Sequence, residues 1–539
     1  MNSLSVEEIS GQLFHLSKEC VKTITLNSKC GLLAHIKTSK KSSSTNDISI
    51  LNDFSPLLCL YRKASPTFIH GKSSHSFDEM TFKKEILPST NALMTLSLLQ
   101  LSEYYSHFKK GSRNITSFEN PYKFLAKEQL QFYSEHLRNP EGLFVCKKNI
   151  SEGNSKGFNL VDKNNKFKFC DQAFMMDAYL LYSIYNENDE SCEDYKAFSY
   201  EILNLFKDYK DSLYELSFNE NIQIFFALNF FYEYSNSIIA RELILDLGDY
   251  LITKFQDKDY YNDSLDDCAF FSITLMHAYK HTDIISFKDI AKEINDKLLT
   301  FYDEDKNIFL KNNDKKEVKY SCLEINFYLL SLMMYSNNFD KAKDLKPIIS
   351  SLFRKFYVNS NLLTCWPEAP TLDEVERYKK LSLHSEDMLD ETYFRMPILP
   401  TPKSTGIAPV FLKNIEYSKK KDSFNKPRLS FDSNKNMLSF FIMINSFKDN
   451  VEKTMQLDCV SEQDKVSTRN TNKSDDSKSD DTKPNDNKST EIIAPDIKHT
   501  LEELEPVSPI TLNGLTETNT NSNENNKKSK NRKNSKNNN

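Results

Sequence analysis

Glycine is scarce in this chain, ten in 539 residues, and there is a single tryptophan, Trp366. So few glycines exclude the glycine-rich phosphate loops, and neither GxxxxGK[ST] nor GxGxxG occurs; the nucleophile elbow GxSxG and the kinase signatures are missing as well. Nucleotide hydrolysis and serine-hydrolase chemistry are thereby disfavoured. Ten cysteines are scattered without a CxxC pair, which excludes a thioredoxin-like redox motif and points to free thiols. No apolar run reaches the roughly 18 to 20 residues that span a bilayer, and the start MNSLSVEEISGQLF has neither the basic opening nor the apolar centre of a secretory signal. A cytoplasmic location and no membrane partner are expected. The net charge of −6 gives no global field for nucleic acid, so no nucleic-acid partner is expected.

What the chain has instead is phenyl rings: 38 Phe and 26 Tyr, enough to make aromatic packing the main source of its core. They fall into a repeat. Five times an apolar helix is followed by a more polar one that ends in a short aromatic or acidic turn, at His136–Lys148, Phe206–Leu216, Lys254–Asp263, Phe301–Leu310 and Lys355–Trp366. The later first helices start near Cys170, Asn221, Asp266 and Cys322, about every 50 residues. Segments such as AFMMDAYLLYSIY and NIQIFFALNFFYEY are apolar on nearly every face and belong to a buried layer, whereas their Lys-, Glu- and Asp-rich partners belong to an outer one. Such hairpins cannot cover their own apolar faces, so the pattern predicts an all-α ring or stack of paired helices.

Three regions follow. Residues 1–87 read as an N-terminal strap with one helix at Val6–Ile24; residues 88–450 form the helical body; residues 451–539 collapse into Ser, Thr, Asn, Asp and Lys and read as a disordered tail. Within the body, Pro367–Phe394 has room for a short acidic helix and Arg395–Pro409 is proline-rich and extended or turned, the segment being a candidate cover for a cavity; Met437–Phe447 supplies a last inner helix.

Inner and outer helices in two-helix units, with turns such as Phe301-Tyr302-Asp303-Glu304-Asp305-Lys306-Asn307-Ile308-Phe309, resemble the (α/α)-toroid folds of the six-hairpin glycosidase-like group. The nearer likeness is to the N-acylglucosamine 2-epimerase branch and to the toroid of thioredoxin-fused proteins. Asn307 and Asn361 stand where a turn glycine is usual in that group, and Gly142 retains it. The resemblance covers about Pro88 to Trp366 and implies an (α/α) toroid with extended N- and C-terminal straps. It implies a carbohydrate ligand, in the manner of a glycoside hydrolase or sugar epimerase, with a site in the central cavity.

Candidate residues follow from position. Asp171, Asp267 and Glu324 lie at inner-helix N-termini, which a toroid gathers round one mouth, where two carboxylates suit glycoside chemistry as acid and base or nucleophile. The same positions equally suit helix capping. Asp177 and His277 on inner helices, and Trp366 with Glu368 in a rigid loop, are candidate substrate contacts; Trp366 fits a core role as well. His277 and His281 stand at i and i+4 but without the glutamate of HExxH, and no metal or cofactor is expected. The rival to a carbohydrate-active protein is a non-catalytic helical scaffold that recruits another protein through its surface or its tail, whose basic end runs from Lys527 to Lys536.

Overall fold

In the computed structural model, residues 4–36, 48–70, 75–108, 117–151, 157–262, 264–311 and 315–456 are described. Ser5 opens the first helix, its side chain and that of Glu8 forming a reciprocal capping box. The helices are α1 (Val6–Lys22), α2 (Pro88–Ser106), α3 (Glu119–His136), α4 (Phe169–Tyr185), α5 (Cys192–Asp208), the one-turn α6 (Lys210–Leu213), α7 (Phe218–Ser235), α8 (Ile238–Gln256), α9 (Leu265–Thr282), α10 (Ile285–Leu299), α11 (Cys322–Asn338), α12 (Ala342–Phe353), the one-turn α13 (Pro402–Thr405) and α14 (Ser433–Met455).

Neighbour relations close a ring. Helix α2 packs on α4, α4 on α7, α7 on α9, α9 on α11, α11 on α14, and α14 returns to α2. Outside them, α3 lies on α2, α5 on α4, α8 on α7, α10 on α9 and α12 on α11. The sixth outer place, against α14, is taken by α1. Six inner and six outer helices therefore make an (α/α) toroid, and the helix read from sequence as part of a strap is a member of the ring. Ser17 Oγ donates to Met443 Sδ at 3.3 Å across this terminal pair.

The burial of each layer follows its composition. Every residue of α4 from Phe169 to Ser183 is buried, whereas α5 buries one stripe that includes Phe198, Ile202, Leu203 and Phe206. Aromatic side chains meet across the middle of the ring. Phe226 of α7 meets Phe441 of α14, on the opposite side of the ring, with centroids 6.2 Å apart. Phe270 of α9 stacks on Phe327 of α11 at 4.6 Å, and Phe230 meets Phe441 at 5.4 Å.

Short antiparallel sheets rim the end where inner helices begin. Glu85–Ile86, Val145–Asn149 and Leu160–Phe167 form one and lead into α2 and α4; Glu317–Ser321, Asn414–Ser418 and Ser423–Phe424 form another and lead into α11. A further pair joins Gly31–Leu33 to Leu57–Leu60. A Cβ on Gly31 would fall on the Cys59 carbonyl oxygen, a backbone atom that cannot rotate away. Gly31→Ala is expected to cost about 1–3 kcal/mol in denaturant unfolding, the range of an overpacked site. The proline-rich segment after Trp366 runs as turns and short 3-10 pieces, held to α1 where Gln12 Nε2 donates to the Thr392 carbonyl at 2.5 Å. The nine cysteines among the described residues are free thiols. Among the described residues no helix is long and apolar enough to cross a membrane. Of residues 451–539, read from sequence as a disordered tail and a partner-binding segment, those up to Met455 belong instead to α14, which buries Val451 and Met455, and residues 457–539 lie outside the described residues.

Candidate functional site

Three of the acids singled out by sequence gather at the end where inner helices begin. Asp171, in the first turn of α4, is buried and accepts from the Ser89 backbone N–H at 2.9 Å; burial raises its pKa against the pull of that bond. Asp267, in the first turn of α9, accepts from Asn219 Nδ2 at 2.6 Å, and burial pushes it up to about 6. Glu324 completes the capping box of α11 with Ser321 and lies 2.6 Å from Lys311; burial lifts it to about 7 although Lys311 lowers it. The circle continues through Lys435 of α14, which donates to Ser321 Oγ, and Asn434, which donates to Thr90 Oγ1 of α2 at 3.1 Å. Each acid thus serves a helix end, where the backbone N–H groups favour negative charge. Two of them still exchange protons near neutral pH.

Asp177 and His277 sit deeper. Asp177 is 1% exposed, and neither carboxyl oxygen has a hydrogen-bond partner among the described residues. Desolvation alone holds its pKa well above the carboxylate range. A group raised in this way contributes stability that is complete below its unfolded pKa and disappears as pH climbs through the folded one. Asp177→Asn, which stays neutral, is therefore expected to gain on the wild type as pH rises, by several degrees in Tm between pH 5 and 9. A constant difference across that range would mean that Asp177 is already ionised in the folded protein. His277 is lowered to about 4 by burial and sits edge-on to Phe226 with centroids 5.8 Å apart, so it is a neutral packing group at pH 7. Trp366, 1% exposed, donates Nε1–H to the Phe394 carbonyl at 3.0 Å and lies edge-on to Phe353; its indole face is packed away from solvent.

A cavity of about 900 Å³ lies at the other end of α2, walled by α1, by Tyr105 and Phe108, and by the segment 368–383. With a rise of 1.5 Å per residue, the length of α2 puts it roughly 25 Å from Asp171. Glu368 is the one sequence candidate here, its carboxylate 2.7 Å from Lys403 and its carbonyl 2.9 Å from His15 Nε2. Burial and Lys18 lower His15 to about 4, so this ring nitrogen is read as the donor of a neutral imidazole.

Lys18 organises the cavity. It is 2% exposed, and its Nζ lies 2.7 and 2.8 Å from the two Glu376 oxygens and 3.2 Å from Glu19. Tyr104 Oη also donates to Glu376, at 2.8 Å. Burial works to raise Glu19, but Lys22, Lys18 and His15 outweigh it and bring the pKa down to about 2. Glu374 is raised, chiefly by burial. One wall thus carries an acid that stays ionised and one that keeps its proton longer. Facing them, Phe54 and Phe118 meet at 6.1 Å, with the Lys22 ammonium 4.7 Å above the Phe118 ring.

Asp171, Asp267 and Glu324 each stand in the first turn of an inner helix, Glu368 stands at the opposite end of α2, and Asp177, His277 and Trp366 are in packed interior. Sequence reasoning missed Glu19, Glu374 and Glu376. Their signal was the Lys18-Glu19 pair within the amphipathic first helix and the acidic run Asp373–Glu376, neither of which names its partner.

No protein-family model matches the chain, and no curated protein matches it. Among solved structures, the chain is similar to the GH76 alpha-mannanase of Bacteroides thetaiotaomicron, at TM-score 0.37 and 8% identity, over 68% of this chain and 90% of that one. It is also similar to an endoglucanase from the termite Nasutitermes takasagoensis, at TM-score 0.43 and 10% identity, over 83% of this chain and 100% of that one.

Proposed function

We propose that the protein binds a carbohydrate in the 900 Å³ cavity between α1, the end of α2 and the segment 368–383. The observation that carries this reading is the meeting of aromatic side chains, Tyr105, Phe108 and Phe118, with the carboxylates of Glu19, Glu374 and Glu376 along one concave space. Ring faces stack on the apolar side of a sugar, carboxylates accept from its hydroxyls, and the volume is of small-ligand scale. The contrast between Glu19, held low by its lysine neighbours, and Glu374, raised by burial, is of the kind that glycoside hydrolysis uses.

Asp267 and Glu324, which titrate at about 6 and about 7, are with Asp171 the alternative place for such chemistry. Epimerase-like chemistry has less support, because His277 is buried and neutral in the core. Calorimetric titration with a panel of neutral oligosaccharides tests the proposal. Saturable binding that weakens at least tenfold in Phe108→Ala and in Glu374→Gln is expected, with the Asp267→Asn, Glu324→Gln double variant unchanged. If the double variant abolishes binding and the cavity variants keep it, the site is the other mouth. Folded protein that takes no sugar leaves the second reading, a non-catalytic scaffold, whose support is the cross-ring contact of Phe226 with Phe441.

A further inference from the structure

At the end of the ring where inner helices begin, far from the carbohydrate cavity, a separate cleft of about 680 Å³ opens beside the sheet that leads into α11. Lys63, Lys83, Lys319, Lys413, Lys426 and Arg428 line it, against a single acid, Glu416. The neighbouring hollow shares Lys319 and Glu416 and adds Lys315, Lys316, Lys420 and Lys421 with one more acid, Glu317. This concentration of positive charge sits on a chain whose net charge is −6.

The cations are poorly neutralised. Lys319 and Glu416 are 4.0 Å apart, as are Lys63 and Asp432, and only Lys83 has a close partner, Glu85 at 3.1 Å. Among the described residues Lys413, Lys426 and Arg428 have no carboxylate within 4.0 Å. Burial, reinforced by Lys413, Arg62 and Lys83, lowers the pKa of Lys63, the expected response of an ammonium held among like charges. Holding six cations on one concave wall costs self-repulsion, which an anion would relieve.

The shape and lining narrow the ligand. No aromatic side chain lines the cleft, so there is no platform on which an unpaired base could stack. The wall is concave and of small-molecule volume, unlike a flat membrane-binding face. Lysines dominate; each acts as a point charge that accepts oxyanions from many directions, without the planar match that favours a single carboxylate. We propose that this cleft binds a compact polyanion, a polyol or short chain carrying three or more phosphate groups, either free or as the headgroup of a lipid.

The proposal stands apart from the carbohydrate reading and is tested on the full chain with inositol hexakisphosphate and inorganic triphosphate. Calorimetry at low salt is expected to give one saturable site of micromolar Kd or tighter, weakened several-fold at physiological salt. Lys413→Gln with Arg428→Gln removes two unpaired, solvent-reaching cations and should weaken binding at least tenfold. Lys207→Gln with Lys297→Gln, the same charge change on outer helices α5 and α10, should alter it less than twofold. Flotation with vesicles carrying a polyphosphorylated inositol lipid separates the sources: capture dependent on Lys413 and Arg428 assigns a headgroup, and no capture with intact binding of the soluble compound assigns a free ligand. Equal losses in the two double variants, no binding of either phosphate compound at low salt, or tighter Lys413-dependent binding of duplex nucleic acid would overturn it.

Discussion

Lys18→Met is expected to destabilise the protein by about 3–5 kcal/mol, the cost of removing one partner from a buried ion pair. The ammonium is 2% exposed and holds both oxygens of Glu376 as well as Glu19. Without it, the carboxylates of Glu19 and Glu376 lose the cation between them, and the segment around Val375 loses a tie to α1. Equilibrium unfolding in urea reads the loss. The wild type also gains stability from Glu19, whose pKa is depressed from 4.5 to about 2. That contribution is full above the ordinary carboxylate value and is lost as pH falls toward 2, so the deficit of Lys18→Met should shrink in acid. Adding Glu376→Leu to Lys18→Met should recover part of the stability, because an apolar replacement removes the orphaned charge. A Lys18→Met protein as stable as wild type at pH 7 would mean that the pair is open to solvent.

Much of the ring was legible in the sequence because burial on every face leaves a plain mark. Segments such as AFMMDAYLLYSIY carry no polar stripe, and they became the inner layer. Even the scarcity of glycine was readable: Asn307 and Asn361 adopt φ of 53° and 59°, the left-handed turn positions that asparagine tolerates better than most residues. The place of α1 was not readable. Its apolar stripe says that it is buried against something, but nothing local identifies α14, more than 400 residues away, as the partner. The short sheets escaped for a different reason. Glu317–Ser321 alternates exposed and buried as a strand should, but five residues of alternation are too few to stand out beside helical segments.

The site divided in the same way. Acids at inner-helix starts were predictable from the repeat, and Asp171, Asp267 and Glu324 each lie in the first turn of an inner helix. Whether such an acid caps a helix or faces a ligand depends on what lies across from it, here the Ser89 N–H, Asn219 and Lys311. The cavity is assembled from α1, the stretch around Phe54, the end of α2, Phe118 and the segment after Trp366, which share no common motif.

The account rests on closure of the toroid by its first and last helices. Ile9, Leu13, Leu16, Cys20 and Val21 of α1 are all fully buried. Their burial is worth on the order of 10 kcal/mol at about 1.5–3 kcal/mol for each large side chain, comparable with the whole stability of a typical fold. Differential scanning calorimetry of a chain beginning at Ser28 tests this most directly. The closed ring predicts no cooperative transition, with exposed apolar surface on α14 and α2; a transition within a few degrees of the intact protein would contradict it.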